Sequence, residues 1–211
     1  MLLEEGYLSA ATPWEQSGKS GSFEEWTRLR IPISECVAAN GAFLDIGCAN
    51  GFLLECLLDW TSRKGIRIEP YGVDYSDKLA ALARQRLSAF SESIFVGNVW
   101  YWDPPIRFDY VRTELCYAPM NLAAAFVSRL LNRFLADQGK LLVAQYRSRD
   151  EDLSGHWVDD YLRESGFQVS EIRSGFSGEG LELTRIAVLR RGNHWFPGRG
   201  NRRPSPARHT G

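Results

Sequence analysis

One apolar run of the sequence ends in Asp45, and Gly47, Ala49 and Gly51 follow it at alternate positions; a later run ends in Asp74, 29 residues after Asp45. Glycine lets a ligand come close to the main chain because no Cβ intrudes, and Ala49 is the next smallest residue. A carboxylate at the second strand end can accept both hydroxyls of a ribose lying across the strands. Asp45 would sit badly beside a pyrophosphate and well beside an ammonium. A dinucleotide site wants G-x-G-x-x-G with its pyrophosphate on the helix N-terminus. Here those positions hold Gly47, Ala49 and Phe52, and a phenylalanine at the third obstructs the close helix–strand packing that glycine permits. The loop suits a nucleoside carrying a cationic, amino-acid-like arm better than it suits a dinucleotide.

Strands and helices must alternate to place these residues. Residues 42–47 form a short apolar run that ends at glycine, and 52–60 carry apolar residues at helical spacing. Residues 70–74 predict the next strand and 76–87 the next helix, with Ser76 as its cap. Strands over 94–97 and 108–113 follow, then an amphipathic helix over 123–135. The turn Asp137-Gln138-Gly139 precedes a strand over 140–146, and a helix over 157–165 stops at Gly166. Two runs, 167–173 and 181–190, lie either side of a turn stretch containing Gly175, Gly178 and Gly180. With no helix between them they predict an antiparallel pair at the edge of a parallel sheet. The fold class expected is α/β, a doubly wound, mostly parallel, seven-stranded Rossmann-like sheet with right-handed crossovers and a helical N-terminal cap.

In that order and spacing, residues 43–190 resemble a class I S-adenosylmethionine-dependent methyltransferase of small-molecule type. The family's acidic-x-Gly-x-Gly-x-Gly motif is matched by Asp45, Gly47, Ala49 and Gly51, with alanine for the middle glycine. Asp74 in GVDYS matches the acid ending the second strand, and Gly97-Asn98 stands where the family has Gly-Asp beside the adenine. Asparagine keeps a carbonyl oxygen that can accept from the adenine amine. The resemblance implies S-adenosyl-L-methionine as cofactor, held by Asp45, Gly47, Cys48, Ala49, Asn50 and Gly51 of the first loop. It adds Asp74 and Tyr75 after the second strand, then Asn98, Val99 and Trp100 after the third. Of Trp100, Tyr101 and Trp102, one ring is expected over the adenine and two against the sheet. Arg30 either pairs with the cofactor carboxylate or lies on a solvated helix face.

The acceptor would bind at the carboxyl ends of the strands, where Glu114, Tyr117, Tyr146 and His156 are the candidate catalytic groups. A carboxylate can steer an amine and take its proton, and a histidine can serve as base. Glu114 reads equally as a structural acid, and His156 as a helix-start residue facing water. Asp103-Pro104-Pro105 resembles the Asp-Pro-Pro-aromatic motif of amino-directed methyltransferases. It precedes its strand instead of ending it, and Ile106 replaces the aromatic, so we read it as a stiffened loop.

Of the 211 residues, 44% are apolar and 24% charged, which excludes wholesale disorder. No apolar run approaches the roughly 18 residues of a spanning helix, and the acidic start MLLEEGYLSA is unlike a secretory leader, so a cytoplasmic location is expected. The four cysteines show no paired spacing and no nearby histidine, so no metal is expected. Six arginines and no acid lie from Arg190 onward, leaving a body of about −7 and a tail of about +6. An acidic body repels polyanions, which argues against a nucleic-acid acceptor. The division expected is a helical lid over 1–40, carrying Tyr7, Trp14 and Trp26, a cofactor-binding domain over 41–192, and a disordered basic tail over 193–211. The partner expected is a small-molecule acceptor methylated on O or N, with no membrane. RNA- or protein-directed methylation, and a non-catalytic module on the same fold, are the alternatives.

Overall fold

A computed structural model describes residues 2–18, 21–151 and 154–191. The basic tail and Lys19-Ser20 lie outside the described residues. Seven strands form one sheet: β1 Gly41–Ile46, β2 Ile68–Asp74, β3 Ile94–Val96, β4 Phe108–Glu114, β5 Leu135–Tyr146, β6 Glu171–Phe176 and β7 Glu182–Arg190. Their order is β3-β2-β1-β4-β5-β7-β6, with β7 antiparallel to both neighbours and the remaining pairs parallel. This is the expected fold class, including the antiparallel edge. The chain winds outward from β1 to β3 and then restarts at β4 on the other side of β1. The crevice at that reversal is where open α/β sheets bind ligands.

Alternation along β1 supplies both layers of the core. Phe43 faces one side with Trp26, Leu54 and Leu57, and Leu44 faces the other with Val111, Phe126 and Leu130. Helix α4 (Phe52–Ser62) buries Leu53, Leu54, Leu57 and Trp60 at the spacing of one helical face. Helix α5 (Asp77–Arg86) starts at Ser76, whose hydroxyl accepts from the Leu79 amide at 3.2 Å. Helix α6 (Ala123–Arg129) continues through a π turn over Leu130–Phe134 directly into β5. Helix α7 (Val158–Glu164) ends at Gly166, where φ is 87°.

Three helices precede the sheet: α1 (Leu2–Ser9), α2 (Phe23–Arg30) and α3 (Pro32–Glu35). Helix α2 and the segment after it pack into the core of the sheet. Trp26, Ile33 and Cys36 are fully buried in the core, and the Trp26 ring lies 4.9 Å from Phe52 and 6.0 Å from Trp60. Glu4 and Tyr7 of α1 lie beside Asp74 and Ser76 at the carboxyl end of β2.

Two local expectations shift. The turn Asp137-Gln138-Gly139 is a bulge inside β5, because Leu135 already pairs with Phe108 and the ladder resumes at Lys140 opposite Tyr110. The strand expected at 167–173 starts at Glu171, four residues late, because Phe167 turns inward to close α7 and its amide bonds back to the Leu162 carbonyl. Gly175 consequently belongs to β6. A Cβ there would stand 3.1 Å from the Arg28 carbonyl, so this glycine lets α2 lie flat against the sheet edge.

Candidate functional site

The loop after β1 bends through three residues of positive φ: Gly47 at 72°, Ala49 at 46° and Gly51 at 75°. Among the described residues Ala49 is the one non-glycine in that region, a conformation that costs an L-residue about 1 kcal/mol or more. Asp74 stabilises it by accepting from the Ala49 amide at 2.8 Å through Oδ2 and from the Ser76 amide at 2.9 Å through Oδ1. The Tyr75 amide also stabilises this carboxylate, which leaves it part of its acceptor capacity for a ligand. Burial raises the Asp74 pKa, and the backbone amides oppose that rise. The two glycines act differently. A Cβ on Gly51 would stand 3.0 Å from that of Ala83, so α5 requires this glycine; one on Gly47 would come within 2.3 Å of the Tyr117 hydroxyl.

Asp45 is buried and meets Arg112, whose Nη1 donates to its Oδ1 at 3.1 Å. Burial pushes the Asp45 carboxyl up to about 7, with Arg112 pulling the other way. Arg112 Nη2 pairs with Glu114 and lies 3.3 Å from the Tyr146 hydroxyl, while its buried Nε has no partner among the described residues. Tyr117 donates to Glu114 at 3.3 Å, and its own pKa is raised by burial and by the Glu114 charge. Sequence reasoning missed Arg112 altogether. The available signal was a lone arginine inside the apolar strand sequence FDYVRT, one side chain from Glu114 on the same face.

Arg30 is 5% exposed, and no hydrogen bond or ion pair among the described residues satisfies it; Nη1 is fully enclosed and orphaned. Its guanidinium lies 4.4 Å over the Tyr146 ring and 5.1 Å from that of Trp26. The solvated helix face is therefore not where Arg30 sits. Burial pulls its pKa down, a penalty that an arriving anion would offset.

These groups line a cavity of about 540 Å³ running from Arg30 and Tyr146, past Asp45 and Gly47, to Asp74 and Tyr75. Glu4 and Tyr7 of α1 lie along it, and Glu4 accepts from the Ser76 hydroxyl at 2.7 Å. A smaller cavity of about 240 Å³ continues on the β2–β3 side between Asp74, Tyr75, Asn98 and Val99, with Gly47 and Tyr117 shared between the two. On the opposite side, Glu114, Cys116 and Tyr146 open onto a third cavity of about 300 Å³ that reaches His156 and Trp157.

The structure thus brings together Arg30, Asp45, Gly47, Cys48, Ala49, Asp74 and Tyr75 with Glu114, Tyr117 and Tyr146, and places Asn98 and Val99 in the adjoining space. Asn98 Oδ1 already accepts from the Trp100 amide at 3.0 Å, which leaves its NH₂ as the readier contact. Other expected positions lie elsewhere: Gly51 packs against Ala83 and lines neither cavity. Asn50 is fully buried; its amide donates to the Pro13 carbonyl and to Gln16 at 3.0 Å each, so it ties the N-terminal segment to the loop instead of lining a cavity. Trp100 packs on Phe126 at 5.4 Å, and Trp102 packs on Phe95, because the apolar layer beneath β3 and β4 claims both rings. Tyr101 is 85% exposed. His156 stands at the rim of the third cavity, 3.3 Å from Glu164. Asp103-Pro104-Pro105 is a loop ahead of β4, with Asp103 paired to Arg133 at 2.9 Å. Among the described residues no cluster of His, Cys, Asp or Glu is arranged to hold a metal.

No protein-family model matches the sequence, and no curated protein matches it. Solved structures do match the fold. The N-methyltransferase NodS from Bradyrhizobium japonicum WM9, in complex with S-adenosyl-L-homocysteine, is 18% identical with a TM-score of 0.60, covering 90% of this chain and 97% of its own. A SAM-dependent methyltransferase from Aquifex aeolicus is 14% identical at TM-score 0.55, with 85% and 100% covered. Magnesium protoporphyrin IX methyltransferase from Synechocystis PCC 6803, with bound SAM, is 20% identical at TM-score 0.51, with 83% and 91% covered. The fold is that of the class I S-adenosylmethionine-dependent methyltransferases.

Proposed function

We propose that this chain binds S-adenosyl-L-methionine along the β1–β2 crevice and transfers its methyl group to an O or N atom of a small molecule. The observation that carries the reading is the buried guanidinium of Arg30, whose Nη1 has no hydrogen-bond partner among the described residues, at one end of a cavity whose other end is the Asp74 carboxylate. A ligand with a carboxylate at one terminus and a ribose toward the other satisfies both. The residues fit the group: Arg30 would take the carboxylate, Asp45 the ammonium and Asp74 the ribose hydroxyls. The cavity shared by Asn98, Val99 and Tyr75 would receive the base. When bound, the cofactor supplies a methyl group on a sulfonium, ready for displacement.

The protein's own contribution is geometric and electrostatic. Holding two reactants in line converts an encounter into a unimolecular step. Arg112 fixes Asp45 and Glu114 relative to one another, because one guanidinium contacts both. Glu114 and Tyr146 face the space between the cofactor cavity and the third cavity, where they can orient an acceptor, and the Glu114 carboxylate can receive a proton. Burial pushes the Cys116 thiol up to about 11, which argues against a thiolate nucleophile. Glu4 and Tyr7 cover the cavity, and such a cover excludes water. A small acceptor is favoured by the modest volume of the third cavity, about 300 Å³, and by the acidic body. The free thiols of Cys36, Cys48, Cys56 and Cys116 suit a reducing compartment such as the cytoplasm.

Arg30→Met tests the reading. It should weaken S-adenosyl-L-homocysteine about 10- to 100-fold in equilibrium dialysis, the loss of a charge-assisted hydrogen-bonded pair. Affinity for 5′-methylthioadenosine, which lacks the amino-acid arm, should stay within about threefold. Equal effects on both ligands, or no effect on either, would contradict the placement of the arm.

A further inference from the structure

The third cavity has a composition of its own. Its floor and walls are Leu115, Met120, Val158 and the rings of Tyr146, Trp157 and Tyr161. Among the described residues neither lysine nor arginine lines it, and Glu114 is its innermost charged group, at the boundary with the cofactor cavity. The neighbouring arginines are occupied. Arg112 is engaged with Asp45 and Glu114; Arg147 lies over the Trp157 ring at 3.8 Å and donates to the Gly155 and His156 carbonyls; Arg185, 4.7 Å from the same ring, pairs with Asp159 and Glu182. Arg147 thereby braces the loop that carries His156. His156 itself is 74% exposed at the outer rim, beside Glu164.

Such a cavity has a preference. A carboxylate or phosphate on the incoming molecule would meet Glu114 with no basic side chain among the described lining residues to neutralise it. A hydroxyl acceptor develops negative charge as its proton leaves, and no cation among the described residues lines the cavity to stabilise it. An amine has the opposite requirement: it arrives cationic, is drawn to a carboxylate, and must lose a proton before it can attack. Aromatic walls suit a flat ring and, at a modest volume of about 300 Å³, a single small one or a fused pair.

Resting on the methyl-transfer reading above, we infer that the acceptor is an aryl-alkyl amine, its ring held by Trp157 and Tyr161 and its nitrogen presented to Glu114. The ammonium leaves one proton with the Glu114 carboxylate, which passes it to solvent. The freed nitrogen lone pair then forms the bond to the methyl carbon. The carbon–sulfur electron pair departs with sulfur, which becomes a neutral thioether, and the nitrogen keeps the positive charge.

Tryptamine and indole-3-propionate, alike in ring and reach but opposite in charge, are the probes. Each is titrated by calorimetry into the full chain saturated with S-adenosyl-L-homocysteine. Tryptamine should bind at least tenfold more tightly than indole-3-propionate, and Glu114→Gln should bring that ratio to within about threefold of unity. Trp157→Ala should weaken tryptamine at least tenfold; because Trp157 also caps α7, Tyr161→Leu serves as the second variant and should weaken it severalfold. Preference for the propionate, or no binding of tryptamine by a protein that does bind S-adenosyl-L-homocysteine, overturns the amine assignment while leaving the cofactor reading intact. Failure to bind S-adenosyl-L-homocysteine overturns both.

Discussion

Asp45 carries the most consequential single ionisation in the site. Its carboxyl is pushed up to about 7 from an ordinary 3.8, first by burial and against the pull of Arg112. A carboxyl with a raised folded pKa binds its proton more tightly in the folded chain. The stability this contributes is complete below the unfolded value and is lost as pH rises through about 7. Unfolding monitored in urea should therefore show stability falling between pH 4.5 and 8, and Asp45→Asn should flatten that slope. Ligand binding runs the other way. An ammonium opposite Asp45 favours the ionised form, so association with S-adenosyl-L-homocysteine should release a proton below pH 7. Its affinity should rise by up to about tenfold per pH unit there and level off above. Affinity independent of pH from 5.5 to 8 would remove Asp45 from the ammonium.

At the scale of elements, α2 serves both core and site. One face of this eight-residue helix buries Trp26 among Phe52 and Trp60, and the next turn delivers Arg30 to the cavity. Trp26→Ala should cost about 3–5 kcal/mol of stability, the range for large aromatic truncations in a core. A cost below about 1 kcal/mol in denaturant unfolding would show that α2 is a loosely held flap. The sequence announced the sheet and its helices because apolar periodicity, caps and glycine stops are local signals. It announced the bend after β1 because positive φ at Gly47 and Gly51 restricts residue choice. What stayed hidden was set by contacts distant in the chain. Asn50 reads as part of a ligand loop, yet its amide is used by Pro13 and Gln16. Trp100 reads as a ring beside a ligand, yet Phe126 takes it inward. Arg112 was legible only as an anomaly within a strand, and its pairing with Asp45 needed β1 and β4 side by side.

For the whole molecule, three cavities lie in a row along the carboxyl ends of the strands, sharing Gly47 and Asp74 at one junction and Glu114 and Tyr146 at the other. That continuity is what a two-substrate transfer requires, since one reactant must abut the other. No helix among the described residues is long and apolar enough to cross a membrane.

Calorimetric titration of S-adenosyl-L-homocysteine into the wild-type chain and into Asp74→Ala tests the central claim most directly. One site per chain with micromolar affinity is expected in the wild type. The variant should lose about 1–3 kcal/mol, roughly 5- to 150-fold, for a charged acceptor removed from the ribose and from the Ala49 and Ser76 amides. No heat at millimolar ligand, or an affinity unchanged by the substitution, would contradict the account.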